Sequence, residues 1–426
     1  MKNDCVSAAF LLYLARRARN AKKVINLKKT KRFLLILTVV VLLSVLSSGL
    51  ADLRPVETTK YNKVVQIVWT DENGETTEGP DGYAIVQYSY PQGFRTERYF
   101  DKDMNPYRMP DGSYGISKST DGKGHVTEIV YLDEDGKKAL NDFGYARVKM
   151  EYTSFGEMRS LRYYGTGKNC VTVPAYGFAR MEVDFSGKSM TRREYQDENG
   201  KPVDTVYGYA VITQKLNKKY QVMRTAYEHA DGTPATCEDG WSTCERERDD
   251  KGRLISVKYY DESGRLTDRG ADYAYEMTEY TGENEKRITR YDRNGQKAVT
   301  EDGIATWKLE LKDDQVIRES FLNESGERIL NGNGVGAVRY DYDPQGRIQE
   351  VIYENLSGER TLSSEGYAGY RDKLDESGRT ESRTYLGTDG KAVTLMGGYS
   401  EIRYVYDEFG QATETYFTAD GTQVTP

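Results

Sequence analysis

Aromatic residues recur along this chain at nearly constant intervals, and this spacing constrains the fold more than any other feature. A Gly follows four or five residues after all but one of them. The series, which we call the primary ladder, begins at Trp69 and continues at intervals of 30 to 32 residues with Tyr99, Tyr131, Tyr163, Tyr195, Tyr227, Tyr259, Tyr291, Phe321, Tyr353, Tyr385 and Tyr416. A fixed period of this length indicates one small structural unit that is repeated and stacked.

A secondary ladder runs between the members of the primary ladder. Each member is followed by a small residue such as Ala84 or Ser242. The members are Tyr83, Tyr114, Tyr145, Phe178, Tyr209, Trp241, Tyr273, Ile304, Val335, Tyr367 and Tyr399. Residues 64–82 resemble the second half of a unit, so the sequence predicts about eleven and a half modules of 32 residues.

Each module has the pattern of two β-strands. Apolar and polar residues alternate over residues 145–152, which is the period of a half-buried strand. Residues 158–164 suit a return strand. The connecting turns often have the motif Asp-x-x-Gly, as at residues 133–136, where Asp accepts a backbone hydrogen bond and Gly takes a positive φ. Short turns make neighbouring strands antiparallel.

These observations predict an all-β fold. Helical periodicity is absent after residue 52, and hydrophobic residues make up only 37% of the chain, with a mean hydropathy of −0.74. Two strands per module give about two dozen strands, and open sheets of more than ~10 strands usually curl or split. We therefore expect an elongated, twisted antiparallel repeat sheet or a β-solenoid, preceded by an N-terminal hydrophobic helix.

Residues 248–261 resemble a YD (RHS-type) repeat, whose hallmark is Y-D-x-x-G-R-L, and residues 342–348 and 406–410 are similar. The resemblance extends over residues 64–426 as a general type of sequence, although the repeat unit here is longer than the family's usual unit. It implies an extracytoplasmic bacterial β-sheet protein that serves as a surface structure or a toxin shell. Residues 259–264 also resemble, more weakly, the aromatic and Gly-rich wall-binding repeats of Gram-positive surface proteins.

The N-terminal region has the pattern of an export signal. Residues 1–32 contain ten Lys or Arg and one acid, and an apolar stretch follows at residues 33–51, with small residues near Ala51. This stretch is also close to the ~20 residues that span a bilayer, with its basic flank in the cytoplasm. Cleavage after Ala51 and an uncleaved signal-anchor helix both remain open.

The sequence thus divides into a basic cytoplasmic segment (1–32), a signal peptide or anchor (33–51), a linker (52–63) and a tandem β-repeat domain (64–426). We expect the repeat domain to be secreted or held at the cell surface. The formal net charge of the chain is −7, so the part after residue 32 carries −16. Such an acidic domain argues against nucleic-acid partners, because phosphate binding needs basic clusters.

No constellation of residues indicates catalysis, a cofactor or a metal. His125 and His229 are about three modules apart and have no neighbouring His or Cys. The Asp-x-x-Gly turns lack the longer ligand series of a calcium-binding EF-hand loop. Cys237 and Cys244 flank a module junction and could form a disulfide or stay as two thiols, because spacing alone does not fix the Cα distance.

The three tryptophans are candidates for exposed rings that stack on sugars: Trp69, Trp241 and Trp307. The alternative, which we favour for ladder positions, is that the rings pack on each other across strands. Trp307 lies outside both ladders, so it is the strongest candidate for exposure.

These patterns predict a non-enzymatic, exported surface repeat protein that is a scaffold or adhesive module for glycan or protein partners, since stacked repeats create extended binding surfaces. The alternative is a shell or fragment of a YD-repeat toxin-like system. A hydrolase of an unrecognised type is a minor alternative. An uncleaved N-terminal helix would add the membrane as a partner.

Overall fold

A computed structural model of the chain describes residues 53–270, 272–406 and 412–426, which form 26 strands and no helix. The strands are β1 (Arg54–Lys60), β2 (Lys63–Thr70), β3 (Ile85–Ser89), β4 (Arg95–Phe100), β5 (Gly115–Thr120), β6 (Val126–Leu132), β7 (Arg147–Tyr152), β8 (Met158–Tyr164), β9 (Arg180–Ser186), β10 (Ser189–Gln196), β11 (Val211–Leu216), β12 (Val222–Glu228), β13 (Thr243–Arg248), β14 (Leu254–Tyr260), β15 (Tyr275–Tyr280), β16 (Glu285–Tyr291), β17 (Thr306–Lys312), β18 (Gln315–Leu322), β19 (Arg328–Ile329), β20 (Ala337–Tyr342), β21 (Ile348–Glu354), β22 (Gly369–Leu374), β23 (Thr380–Tyr385), β24 (Glu401–Tyr406), β25 (Ala412–Phe417) and β26 (Gln423–Val424).

The predictions for residues 1–51, including the hydrophobic helix, fall outside the described part of the chain. Within that part, no helix has the length and apolarity needed to cross a membrane. The prediction of a linker at residues 52–63 is corrected, because residues 54–60 form β1, which pairs antiparallel with β2. The paired region therefore begins ten residues before Val64.

The chain forms two compact units. Unit 1 contains the described residues up to 214 together with 218–221 and 227–235, and unit 2 contains residues 215–217, 222–226 and the rest. Inside each unit, strands pair antiparallel with strands that neighbour them in sequence, as β7 does with β6 and β8. The prediction of an all-β antiparallel repeat sheet is confirmed. Pairing between strands that follow one another in sequence favours the antiparallel sheet over the β-solenoid. The elongated shape stays a prediction.

The small residue after each secondary-ladder position lies between two strands. Ala146 is fully buried; its N–H donates to the carbonyl oxygen of Tyr164 at 2.8 Å, and its carbonyl accepts from the N–H of Tyr131 at 2.9 Å. At the equivalent Gly336, an added Cβ would lie 2.9 Å from the backbone carbon of Asn355. Close strand packing therefore explains why most modules have a small residue here; the exception is the module in which Tyr114 makes the equivalent backbone bonds.

Rings from the two ladders alternate and contact one another, and we call this row the spine. In unit 1 the contacts run without a break from Tyr131 to Tyr227, with ring centroids 4.7 to 6.2 Å apart. Offset aromatic contacts in this range stabilise packing beyond the burial of area. The broad rings thus supply the core that the low aliphatic content does not.

One primary-ladder residue, Tyr291, does not occupy the spine position that the sequence period predicts for it. The N–H of Ala298 bonds to the carbonyl of Arg290, whereas the equivalent N–H of Ala139 bonds to that of the ladder residue Tyr131. The hairpin of β15 and β16 lacks the bulge that occurs between β7 and β8, so its register moves by one residue. Arg290 therefore occupies the spine position, and Tyr291 lies opposite Tyr275 on the other face of the sheet.

A similar shift affects the secondary ladder. The N–H of Met109 bonds to the carbonyl of Ser113, as the N–H of Asn141 bonds to that of Tyr145. The buried Ser113 thus holds the spine position that the sequence assigned to Tyr114. The spine consequently has one gap in unit 1.

Candidate functional site

Three shallow grooves among the described residues are candidates for binding surfaces. Groove 1, in unit 1, has a volume of about 550 Å³ and is lined by Asp121, Thr127, Glu128, Lys149, Met150, Glu151, Tyr152, Ser160 and Arg162. Groove 2, in unit 2, has about 650 Å³ and is lined by Glu310, Lys312, Asp313, Gln315, Ile317, Arg318, Arg339, Tyr340, Asp341, Tyr342 and Asp343. Groove 3, in unit 1, has about 610 Å³ and is lined by Arg162, Tyr164, Lys168, Asn169, Cys170, Arg180, Glu198 and Asn199.

Grooves 1 and 2 lie at the same place in their modules, beside the hairpin turns. In each, a Tyr seven residues after a secondary-ladder position donates its hydroxyl to a carbonyl 26 residues earlier. Tyr152 donates to Val126 at 2.9 Å, and Tyr342 donates to Val316 at 2.7 Å. This bond fixes one hairpin against the preceding one, so it holds the walls of the groove together.

The charges in groove 1 form two clusters, one around Glu128 and one around Arg162. Glu128 lies 3.6 Å from Arg147 and 3.7 Å from Lys149. Arg162 contacts Glu182 at 2.8 Å and Glu151 at 3.5 Å. The hydrogen bond with Glu182 raises the pKa of Arg162 above its ordinary value, although burial works against the charge.

Groove 2 has a basic residue where groove 1 has an acid. Arg318 takes the place of Glu128, and it binds Glu354 at 2.8 Å and Glu310 at 3.2 Å. The hydroxyl of Tyr340 donates to Glu319 at 3.1 Å. Burial, and then the charge of Glu319, raise the pKa of Tyr340 well above the usual value, so the phenol stays protonated. Equivalent grooves therefore present different charges on one backbone frame.

Two of the three candidate tryptophans lie at ladder positions, where we favoured ring packing over exposure. Trp241 is only 7% exposed and packs on Tyr259 with ring centroids 5.5 Å apart, so packing is confirmed there and the alternative of an exposed sugar-stacking ring is wrong. Trp69 is half-buried, and a Cβ added at Gly79 would lie 2.4 Å from its Cδ1 atom. Both are packed ladder residues.

Trp307 is half-buried, and its position is regular. It pairs with Phe321 across β17 and β18, just as Val148 pairs with Tyr163 across β7 and β8. The guanidinium of Arg290 lies 4.6 Å from the ring centroid, which is a cation–π distance. One aromatic contact surface of Trp307 is therefore already occupied by this chain.

Cys237 and Cys244 are both buried and free in the structure, so the disulfide that the sequence allowed is not formed there. Burial raises the pKa of both thiols, which keeps them protonated and unreactive at neutral pH. Cys244 pairs with Tyr259 across β13 and β14, at the position that Val148 holds in its own module. It thus acts as a small apolar residue.

Both histidines pair with a carboxylate. The Nδ1 atom of His125 lies 2.9 Å from Asp121, and that of His229 lies 2.8 Å from Asp204. Through residues 53–270, 272–406 and 412–426, no group of three or more His, Cys, Asp or Glu could hold a metal ion. His125 thus contacts an Asp of its own turn, whereas His229 contacts an Asp 25 residues earlier in the chain.

Sequence reasoning missed the role of Arg in the Asp-x-x-Gly-Arg turns. In the turn that begins at Asp343, one carboxylate oxygen accepts backbone N–H groups, and the other binds the Nε of Arg347 at 2.6 Å. Arg347 also donates to the carbonyl of Asp375, in the next hairpin turn, at 3.1 Å. The arginine of the Y-D-x-x-G-R motif therefore links successive turns.

Comparison with known proteins places the chain in no family. No protein-family profile matches the sequence, and no curated protein matches it. The solved structure of TcdB2-TccC3-TEV is 11% identical over 88% of this chain and 22% of its own, with a TM-score of 0.27. A Tc holotoxin pore from Photorhabdus luminescens is 11% identical over 85% and 21%, with a TM-score of 0.25.

A porin-like protein from Bacteroides uniformis is 11% identical over 77% of this chain and 91% of its own, with a TM-score of 0.21. By contrast, this chain spans only about a fifth of the length of the TcdB2-TccC3-TEV and Tc holotoxin pore chains. At these TM-scores, the likenesses define neither a family nor a function.

Proposed function

We propose that this chain is a non-enzymatic, exported repeat protein that acts as a scaffold or adhesive module for glycan or protein partners at the cell surface. The observation that carries this proposal is the recurrence of grooves 1 and 2 at one module position with different charged linings. Repeat proteins commonly bind partners by varying side chains on a constant frame. Export is proposed from the basic and apolar N-terminal segments.

The groove linings also suit binding better than catalysis. In groove 2, Arg318 contacts the lining residue Glu310 and the neighbouring Glu354, so these acids are already engaged with a cation of this chain. Tyr, Arg and carboxylate groups on an open surface can instead contact sugar hydroxyls or a partner protein.

A second proposal is a shell or fragment of a YD-repeat toxin-like system. The specific support is the turn at residues 343–347, where the motif residues Asp343, Gly346 and Arg347 form one linked turn. A toxin-encoding reading frame beside the gene would favour this second proposal, and its absence would favour the surface scaffold.

The test is a pull-down of glycans and cell-wall material with the full-length protein and two variants. Arg339→Glu reverses a charge in groove 2, and Lys218→Glu reverses an exposed charge elsewhere in the chain. We expect the first variant to lose at least half of the retained material and the second to keep it. Equal retention by both variants, or none by the natural protein, would contradict the proposal.

A further inference from the structure

In several modules, the residue nine positions after the primary spine residue links its module to the next one. Arg108 contacts the carboxylate of Asp142 at 2.6 Å. Asp268 contacts the guanidinium of Arg293 at 3.1 Å. A polar side chain at this position therefore bonds to the loop of the following module.

Three consecutive modules of unit 2 have an aliphatic residue at this position instead. Val299, Leu330 and Leu362 are 42% to 47% exposed, and we call them the aliphatic strip. In each module, the next residue donates its N–H to the carbonyl of the secondary-ladder residue at 2.8 to 2.9 Å. Because the backbone is held in the same way each time, the three side chains are presented on one face of the repeat.

The spacing of the aliphatic strip follows from the repeat. Each module adds two strands that are about 4.8 Å apart, so neighbouring side chains of the strip are about 9.6 Å apart. The loops that carry them are in direct contact, since Ser364 donates its N–H to the carbonyl of Asn333 at 2.9 Å. A Cβ added at Gly332 would likewise lie 2.5 Å from Oδ1 of Asp302. These contacts keep the loops at the interval that the strands set, so the strip spans roughly 19 Å.

The size and spacing of the aliphatic strip discriminate between partners. A second copy of the chain would need about 800 Å² of contact on each side for a stable dimer, and three half-exposed aliphatic side chains supply far less. A β-strand repeats each face at about 6.7 Å, and an α-helix returns to one face after seven residues, or about 10.5 Å. A polyproline II helix has three residues per turn and rises about 3.1 Å per residue, so every third side chain recurs at about 9.3 Å. Of these intervals, only the last lies within about 0.3 Å of the module spacing.

We propose that the aliphatic strip binds a proline-rich peptide in the polyproline II conformation, with an apolar side chain at every third residue. This inference rests on the proposed function as a scaffold and specifies the class of its protein partner. The apolar side chains of the peptide lie against Val299, Leu330 and Leu362, and their burial stabilises the contact. Proline fixes φ before binding, which reduces the entropy that the peptide loses.

The test is a titration of the full-length protein into a fluorescent peptide of four Leu-Pro-Pro repeats, followed by anisotropy. A second peptide of the same composition has Leu at alternating intervals of two and four residues, and we expect it to bind about fivefold more weakly or worse. Leu330→Ser and Leu362→Ser should each weaken binding of the first peptide about fivefold or more. Leu140→Ser is the matched control and should change binding less than twofold. Leu140 is exposed at the equivalent position in unit 1, where the neighbouring modules have Arg108 and Thr172.

Equal binding of the two peptides, or full binding by the Leu330→Ser and Leu362→Ser variants, would overturn the inference. So would an absence of binding by natural protein, or an equal loss in Leu140→Ser, with melting temperatures used to check that each variant folds. A dimer that sedimentation equilibrium detects and that Leu330→Ser abolishes would also overturn it, because a second copy would then cover the strip. The proposed function fails separately: it is lost only if the pull-down also retains no glycan or protein partner. Retention in the pull-down without peptide binding would leave the scaffold standing and remove the peptide site.

Discussion

Residues 131–195 of unit 1 and residues 273–335 of unit 2 follow the same backbone plan but have different cores. In the first region, the spine positions hold five consecutive aromatic residues, and the neighbouring pair Met150 and Leu161 is buried at 3% and 4% exposure. In the second region, the spine positions hold Tyr273, Arg290, Ile304, Phe321 and Val335. The repeat plan therefore tolerates an ion pair and aliphatic residues where it usually has rings.

The ion pair in the second region shows how the frame accommodates a charge. Arg290 pairs with Glu276 across β15 and β16, and the Nε atom lies 3.2 Å from the carboxylate. The guanidinium also lies 4.6 Å from the ring centroids of both Tyr273 and Trp307. A planar cation can stack on aromatic faces, so Arg290 continues the row of contacts that a ring would make.

The largest effect should come from removing a ring in the continuous part of the spine. Tyr163→Ala deletes a side chain that is 1% exposed and contacts three other rings, so we expect a loss of about 3–5 kcal/mol in the free energy of unfolding. Tyr291→Ala, outside the spine, should cost under about 1 kcal/mol. Denaturant unfolding of the full chain measures both, and equal losses would show that Tyr291 is a core residue after all.

Two variants, one single and one double, test whether the ion pair of Arg290 and Glu276 can replace the apolar pair of the first region. Arg290→Met leaves the carboxylate of Glu276 without its partner, and we expect a loss of about 1–2 kcal/mol, since the pair is only partly buried. Arg290→Tyr together with Glu276→Val recreates the pair found at Val148 and Tyr163, and we expect near-neutral stability. A double variant less stable than Arg290→Met would indicate that the ion pair is specifically required.

The sequence predicted the strands, the antiparallel pairing and the small residue after each secondary-ladder position, because these follow from period and side-chain size. It misplaced Tyr291 and Tyr114, since ladder membership was assigned by residue type while the backbone bonds decide it. A subtler regularity identifies the correct residues. The interval from a primary to the next secondary position is 14 in most modules, and Arg290 and Ser113 restore this value.

The grooves were harder to predict than the fold. Each groove combines side chains from two successive hairpins, so its lining depends on register and on bonds such as that of Tyr152 to Val126. The tryptophans were selected by residue type, yet Trp241 is buried and Trp69 and Trp307 are half-buried.

A smaller, pH-dependent effect should distinguish a module that has a buried charged residue two positions before the primary ladder from the module that has the apolar Leu161 there. Glu97 takes the place of Leu161 and is 7% exposed; it binds Arg95 at 2.6 Å, Tyr99 at 2.8 Å and Lys118 at 3.4 Å. Burial would raise the pKa of Glu97, but Lys118, Arg95 and these hydrogen bonds outweigh it and lower the pKa.

A lowered pKa in the folded state stabilises the fold above the ordinary Glu value of about 4.3, and this stabilisation is lost as the pH falls through the folded-state value. Glu97→Gln should therefore reduce the loss of stability between pH 5 and pH 3, measured as melting temperature, relative to the natural protein. Glu78→Gln, at an exposed position, is the control. An unchanged pH profile in the Glu97 variant would show that this carboxylate is not held by its neighbours.

The smallest effect concerns the turn glycines of the two units. Gly136 and Gly326 both have a positive φ, at 79° and 81°, so Ala at either position should cost about 1 kcal/mol. An added Cβ would lie 3.3 Å from the guanidinium of Arg98 at Gly136, whereas it meets nothing within 4 Å at Gly326. Arg98 also donates to the carbonyl of Glu134 in the same turn. We therefore expect Gly136→Ala to lower the melting temperature slightly more than Gly326→Ala. If the order is reversed, the Arg98 contact does not constrain this turn, and the positive φ alone explains the glycine.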